Sequence, residues 1–153
     1  MLEKYLYILV ISAVPIIEQR GAIPLGILVY DLNPFLVTFV SYIGSLLAMV
    51  FVIFAFTPIF KWLGKTKVLK WFYDYIDKKV NKGKKQVEKY EFWGLVLFVA
   101  IPLPFTGVWT GSAIAAFMQM DKKKAIVSVC LGAAISAVAI AIISFLAPKL
   151  LGY

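Results

Sequence analysis

The chain has 153 residues, 62% of them hydrophobic, and a mean hydropathy of +0.89, an apolar share well beyond that of a soluble domain. The formal net charge is +8, but ten of the 16 basic residues are lysines between Lys61 and Lys89, and three more form Lys122-Lys123-Lys124. These charges flank apolar runs as cytoplasmic loops do, which argues against nucleic acid; the lack of histidine excludes zinc sites and histidine relays, and the single Cys130 excludes an internal disulfide.

The first apolar stretch has neither a basic n-region nor a small-residue cleavage site, so it is expected in the mature protein. Tyr5 to Ile17 gives about 20 Å of helix, enough to reach the middle of a bilayer, and it stops at Glu18-Gln19-Arg20. Ionisable side chains at that depth mark a pathway or a binding site. Pro15, Gly21, Pro24 and Gly26 are helix breakers around the pair, and Ala22 to Tyr30 gives about 14 Å, enough to return to the same surface. The expected element is a re-entrant hairpin. Leu32 to Phe60 is charge-free and long enough to span, with Ser41, Gly44, Ser45 and Ala48 spaced for close helix packing.

The basic insert follows. Val68, Leu69, Phe72, Tyr75, Ile76 and Val80 share one helical face from a Thr66 cap to Asn81-Lys82-Gly83, which predicts an amphipathic helix anchored on the membrane surface. Trp62, Trp71 and Trp93 suit interfacial depth. Phe92 to Met120 packs Pro102, Pro104, Gly107 and Gly111 into ten residues, which predicts a second hairpin, with one kinked span as the alternative. Ala125 to Pro148 is a second charge-free span, with Gly132, Ala133, Ser136, Ala137 and Ala141 at packing spacing.

If both broken segments leave on the side they entered, the insert and Lys122–Lys124 share one side. Full spans throughout would separate them, so the positive-inside bias favours hairpins, with the insert cytoplasmic and both termini outside the cell membrane. The halves also match: Pro15 with Pro102 at an offset of 87, and Asn33 with Asp121, Gly44 with Gly132 and Gly64 with Gly152 at 88. The expected fold is an all-α integral membrane protein, a single domain of two inverted repeats, 1–64 and 92–153, each a re-entrant helical hairpin plus a transmembrane helix, with the amphipathic insert 65–91 between them. Secondary transporters are built on this plan, with their site between broken helices at the midplane.

Within such a site Arg20 offers a planar fork for phosphate or carboxylate, and Glu18, the carboxylate at membrane depth, can carry a proton. A structural Glu18–Arg20 pair is the alternative. Gln19 lies between them, and Thr106, Trp109 and Thr110 add neutral donors from the second hairpin, although Trp109 also suits plain packing. No nucleophile–base pair, metal cluster or phosphate loop points to an enzyme, a metal or a cofactor.

The run Pro15-Ile16-Ile17-Glu18-Gln19-Arg20-Gly21-Ala22-Ile23-Pro24-Leu25-Gly26 resembles the signature of the small multidrug export protein family, with Gln19 in place of its usual leucine. Pro102 to Gly111 is similar to that family's second motif. The resemblance implies drug efflux by name, and a distant relation to the DedA superfamily implies paired re-entrant hairpins and lipid translocation. DedA proteins carry arginines in the second hairpin, and this chain has none there. Three functions follow as expectations: a proton-coupled carrier or lipid flippase for an anionic amphiphile such as a polyprenyl phosphate or phospholipid, efflux of cationic small molecules, and a non-transporting membrane scaffold. The expected partners are membrane lipids and a small-molecule or lipid substrate, with a homodimer left open.

Overall fold

The computed structural model describes residues 2–63, 70, 74, 84–103 and 106–151, and within them the protein is all helical. Helix α1 (Leu2–Ser12) is followed by α2 (Glu18–Pro24), which runs on into a π-helical turn (Leu25–Val29). Then come α3 (Pro34–Leu63), α4 (Lys84–Ala100), α5 (Val108–Phe117) and α6 (Lys122–Leu151). Two stretches, Pro34–Ile59 and Lys122–Pro148, are long and apolar enough to cross a membrane.

Polarity is arranged as a membrane requires. Large apolar side chains such as Phe35 (86% exposed), Phe39, Leu47, Phe51 and Ile143 face outward, while Ser12, Ser41, Ser45, Ser112, Ser128 and Ser136 are buried. A soluble domain would reverse this, because outward apolar surface is tolerated where lipid replaces water.

The long helices start in the same way. The Asn33 Oδ1 accepts from the Phe35 and Leu36 N–H groups, and the Asp121 Oδ1 accepts from those of Lys123 and Lys124. Each caps donors that the first helical turn leaves free, and Pro34 adds a pre-set φ at the first position of α3. Just before the caps, Asp31 (φ 50°) and Gln119 (φ 53°) take the left-handed conformation that ends a helix. The Leu32 N–H then reaches back to the Gly26 carbonyl, and that of Met120 to Ala115.

The long helices run antiparallel: Lys122 lies over the Phe54 ring at 4.7 Å, and the Tyr42 hydroxyl donates to the Cys130 carbonyl. Their buried faces match at the predicted offset, with Val37, Ser41, Ser45, Ala48 and Val52 of α3 answering to Ala125, Val129, Ala133, Ser136 and Ile140 of α6. Both glycines are forced by close approach. A Cβ on Gly44 would strike the Leu9 carbonyl and lie 2.8 Å from the Ser12 Cβ, and one on Gly132 would lie 2.7 Å from the Val96 carbonyl and 2.8 Å from the Val99 Cβ. Thus α1 lies on α3 as α4 lies on α6. Helix α2 wedges between the long helices, its Ala22 and Ile23 packed against Val37, Ala137 and Ile140, and α5 places Val108 and Ala115 in the cluster with Met49, Ile53 and Val129.

Several boundaries differ from the sequence reading. The break in the first broken segment is at 13–17, around Pro15, and Glu18 opens α2 rather than ending α1. Gly21, Pro24 and Gly26 do not make the break. Pro24 sits inside α2, and the helix absorbs its missing N–H by widening into the π turn, where the Tyr30 N–H bonds to the Leu25 carbonyl. Gly21 instead abuts Ile17, and Gly26 makes room for Val37. In the second segment the break runs over 101–107, with Pro102 and Gly107, while Gly111 lies within α5 against Val99. Pro104 falls outside the described residues. So does most of the predicted insert helix, including Thr66 and the 75–83 stretch. Helix α4 begins at Lys84, eight residues before the predicted start at Phe92.

Candidate functional site

The two breaks face each other, and the charged pair joins them. Glu18 is a non-glycine residue at φ 48°, a strained conformation that costs about 1–3 kcal/mol and persists only where neighbours enforce it. Its buried carboxylate accepts from the Trp109 N–H at 2.9 Å and the Val108 N–H at 3.2 Å. Those are the first two donors of α5, whose own N-cap residue, Gly107, has no side chain to offer. Glu18 therefore caps a helix 90 residues away, with its charge at the positive end of the helix dipole. A Cβ on Gly107 would overlap the carboxylate, so only glycine admits it.

Arg20 serves the other lip of the same break. Its Nη1 donates to the Leu103 carbonyl, and its Nη2 to those of Ile101 (3.1 Å) and Val99 (3.4 Å). These carbonyls belong to the last turn of α4 and the chain just beyond it, where a helix presents unpaired acceptors and negative partial charge. Glu18 and Arg20 are near enough to attract, yet each directs its hydrogen bonds to the opposite broken segment. Thr106 bridges the break locally, its hydroxyl lying 2.8 Å from the Ile101 carbonyl and 2.9 Å from that of Leu103.

The first break is closed in return. The Trp109 indole donates to the Ala13 carbonyl at 2.9 Å, just past the end of α1, and its ring packs on Phe51 with centroids 6.2 Å apart. Trp109 thus does more than pack. Gln19, 1% exposed, points into the interior, where its Nε2 donates to the Ala133 carbonyl at 2.9 Å. Of the predicted site residues, Glu18, Arg20, Thr106 and Trp109 come together at the two breaks. Gln19 lies behind them, and Thr110 is exposed on α5. The sequence could not reveal the carbonyls of Ala13, Val99, Ile101 and Leu103 or the N–H groups of Val108 and Trp109, because backbone groups carry no residue signature.

A family model described as putative small multi-drug export protein matches residues 18–139, a stretch that starts at Glu18, just after the first break, and takes in the second. The chain belongs to this family. Membership and the two spanning helices make it a membrane protein of an export family, and the match carries no DedA relationship. No curated protein and no solved structure matches the chain.

Proposed function

We propose that this export-family protein is a transporter in which α1–α2 and α4–α5 are re-entrant hairpins entering from opposite faces, with the substrate passing where their tips interlock. The Lys4 ammonium lies over the Tyr30 ring at 5.3 Å, and Tyr7 meets the same ring, so the first hairpin starts and ends at one end of the bundle. The antiparallel long helices bring the C-terminal end of α3, where the basic insert begins in sequence, and the lysines opening α6 to the other end. That supports a cytoplasmic insert and outside termini. Matched caps, glycines and buried faces support inverted repeats.

The observation that carries the reading is the Glu18 carboxylate on the N-terminus of α5. An acid group already occupies this helix end, held by two N–H donors, with the Arg20 guanidinium on neutral carbonyls alongside. When Glu18 takes a proton its hold on those donors weakens, and the freed N–H groups together with Arg20 suit the headgroup of an anionic amphiphile, a phospholipid or polyprenyl phosphate. Binding of the substrate and protonation of Glu18 then go together, which is proton coupling. The family description favours a second reading, export of cationic drugs, but Arg20 beside Glu18 would repel the cation.

Reconstitution into liposomes with a panel of phospholipids, polyprenyl phosphates and cationic dyes, with and without a proton gradient, tests this. Anionic amphiphiles should move faster under the gradient, and Glu18→Gln should remove that dependence because an amide releases no proton. Transport of the dyes alone would favour the cationic reading, and no transport of any probe would leave the protein a scaffold.

A further inference from the structure

Four hydroxyls inside the bundle bond back to their own helix, Ser12 to the Ile8 carbonyl, Thr38 to Pro34, Thr57 to Ile53 and Ser128 to Ala125, and that of Ser45 donates to the Ser12 carbonyl. Ser41 on α3 and Ser136 on α6 do neither, although both are wholly buried, and neither Oγ has a partner. Two more buried oxygens are in the same condition, the Ser112 Oγ on α5 and the Oε1 of Gln19. Its orientation is fixed, since Nε2 donates to the Ala133 carbonyl and a carbonyl can only accept.

By helix register, Gln19, Ser41 and Ser136 fall in one layer. Ala22 and Ile23 of α2 pack against Val37, Ala137 and Ile140. One turn back along α2 is Gln19, one turn on along α3 from Val37 is Ser41, and one turn back along α6 from Ile140 is Ser136. The Gln19–Ala133 bond anchors that register. A buried polar oxygen without a hydrogen bond is destabilising, and three in one layer point to a shared ligand. A buried water makes about three hydrogen bonds to groups of this kind.

We infer that Gln19, Ser41 and Ser136 bind a water molecule between α2, α3 and α6, and that this water delivers the proton to Glu18, the neighbouring residue on α2. The inference rests on the proton role proposed for Glu18. In the step, the protonated water gives one proton to a carboxylate oxygen, leaving neutral water and a neutral carboxyl, and the reverse step returns it. Arg20 acts on Glu18 from its own helix, and α5 presents to it only the N–H groups of Val108 and Trp109. At membrane depth the titratable groups of α3 and α6 are Tyr42 and Cys130, which meet each other. Those of α1, Glu3 to Tyr7, lie at the end away from the break.

Infrared difference spectra of the reconstituted protein after a pH jump, recorded in ordinary and in ¹⁸O-labelled water, test the assignment. The expected result is a protonated-carboxyl band that Glu18→Gln removes, accompanied by an ¹⁸O-sensitive water band. Gln19→Leu should remove the water band and slow protonation of Glu18 by about tenfold or more. The milder Ser136→Ala should weaken both, and Ser128→Ala, at a hydroxyl bonded to its own helix, should change neither. A carboxyl band without a water band, or a water band that survives Gln19→Leu, overturns the inference and leaves the transport reading standing. Both bands in a protein that moves no probe would keep the water site and end the transport reading.

Discussion

The break at 13–17 is closed by neutral donors, the Trp109 indole on the Ala13 carbonyl and the Ser45 hydroxyl on that of Ser12, whereas the break at 101–107 takes a carboxylate at one lip and a guanidinium at the other. Around them the two halves share caps, left-handed residues, contact glycines and buried faces at one offset. Their frameworks match, and their chemistry does not. The first half carries both charges and spends them on the second, which answers with an uncharged ring. A match of framework therefore need not be a match of chemistry, and the difference is easiest to see where the framework is the same on both sides.

The comparison breaks outright if the halves are not inverted. Single cysteines at Lys84 and Lys123, in a Cys130→Ser background, should be labelled only from the cytoplasmic side, and those at Lys4 and Tyr153 only from outside. The effect is all or none. Labelling of positions 84 and 123 from opposite faces would make the second segment a kinked span and remove the opposed tips.

The next largest effects should come from the charges. Arg20→Ala strands acceptors at the end of α4 and should lower stability by about 2–4 kcal/mol, read from denaturant unfolding in micelles. Lysine at this position should restore part of the loss, since it keeps the charge and loses the fork. Trp109→Phe removes one neutral hydrogen bond and should cost about 1 kcal/mol. Equal losses from the two variants would mean that the breaks are sealed alike and the asymmetry is only apparent.

The framework was legible in the sequence where periodicity and charge carry it. Charge-free length marked α3 and α6, Asn33 and Asp121 marked their starts, and Gly44 and Gly132 marked close packing. The exact breaks were harder to read, because a proline signals trouble without fixing its remedy. Pro24 stays inside α2 through a π turn, whereas Pro15 and Pro102 sit where the helices stop. In the site, Glu18 and Arg20 stood out as charges in an apolar run, but their partners are backbone groups some 80 to 90 residues away. Ser41 and Ser136 looked like packing residues, since a small residue at contact spacing reads the same whether or not its hydroxyl is satisfied.

Gly44→Ala and Gly132→Ala sharpen the comparison from the side of the framework. Each puts a methyl group against a backbone carbonyl and a neighbouring side chain, and overpacking of this kind costs about 1–3 kcal/mol. The two losses should be similar, because each methyl group meets a backbone carbonyl and the Cβ three residues further on. A loss at one glycine alone would show that the halves are held by different forces despite their common outline.

The smallest effect tests whether the matched caps differ by their charge. Asn33→Ala and Asp121→Ala each strand the same two N–H groups, and each should cost about 1 kcal/mol. Asp121 also places a negative charge at the positive end of α6, beside Lys122, Lys123 and Lys124, whereas Asn33 is neutral. Asp121→Ala should therefore be the more destabilising of the two at low salt. The excess should shrink as salt is added, because exposed charges at a helix end are screened, while the shared hydrogen-bond loss stays. Unfolding midpoints of both variants across a salt series would show it. An excess that does not move with salt would trace the difference to packing around Asp121, and the charge at this cap would then be incidental.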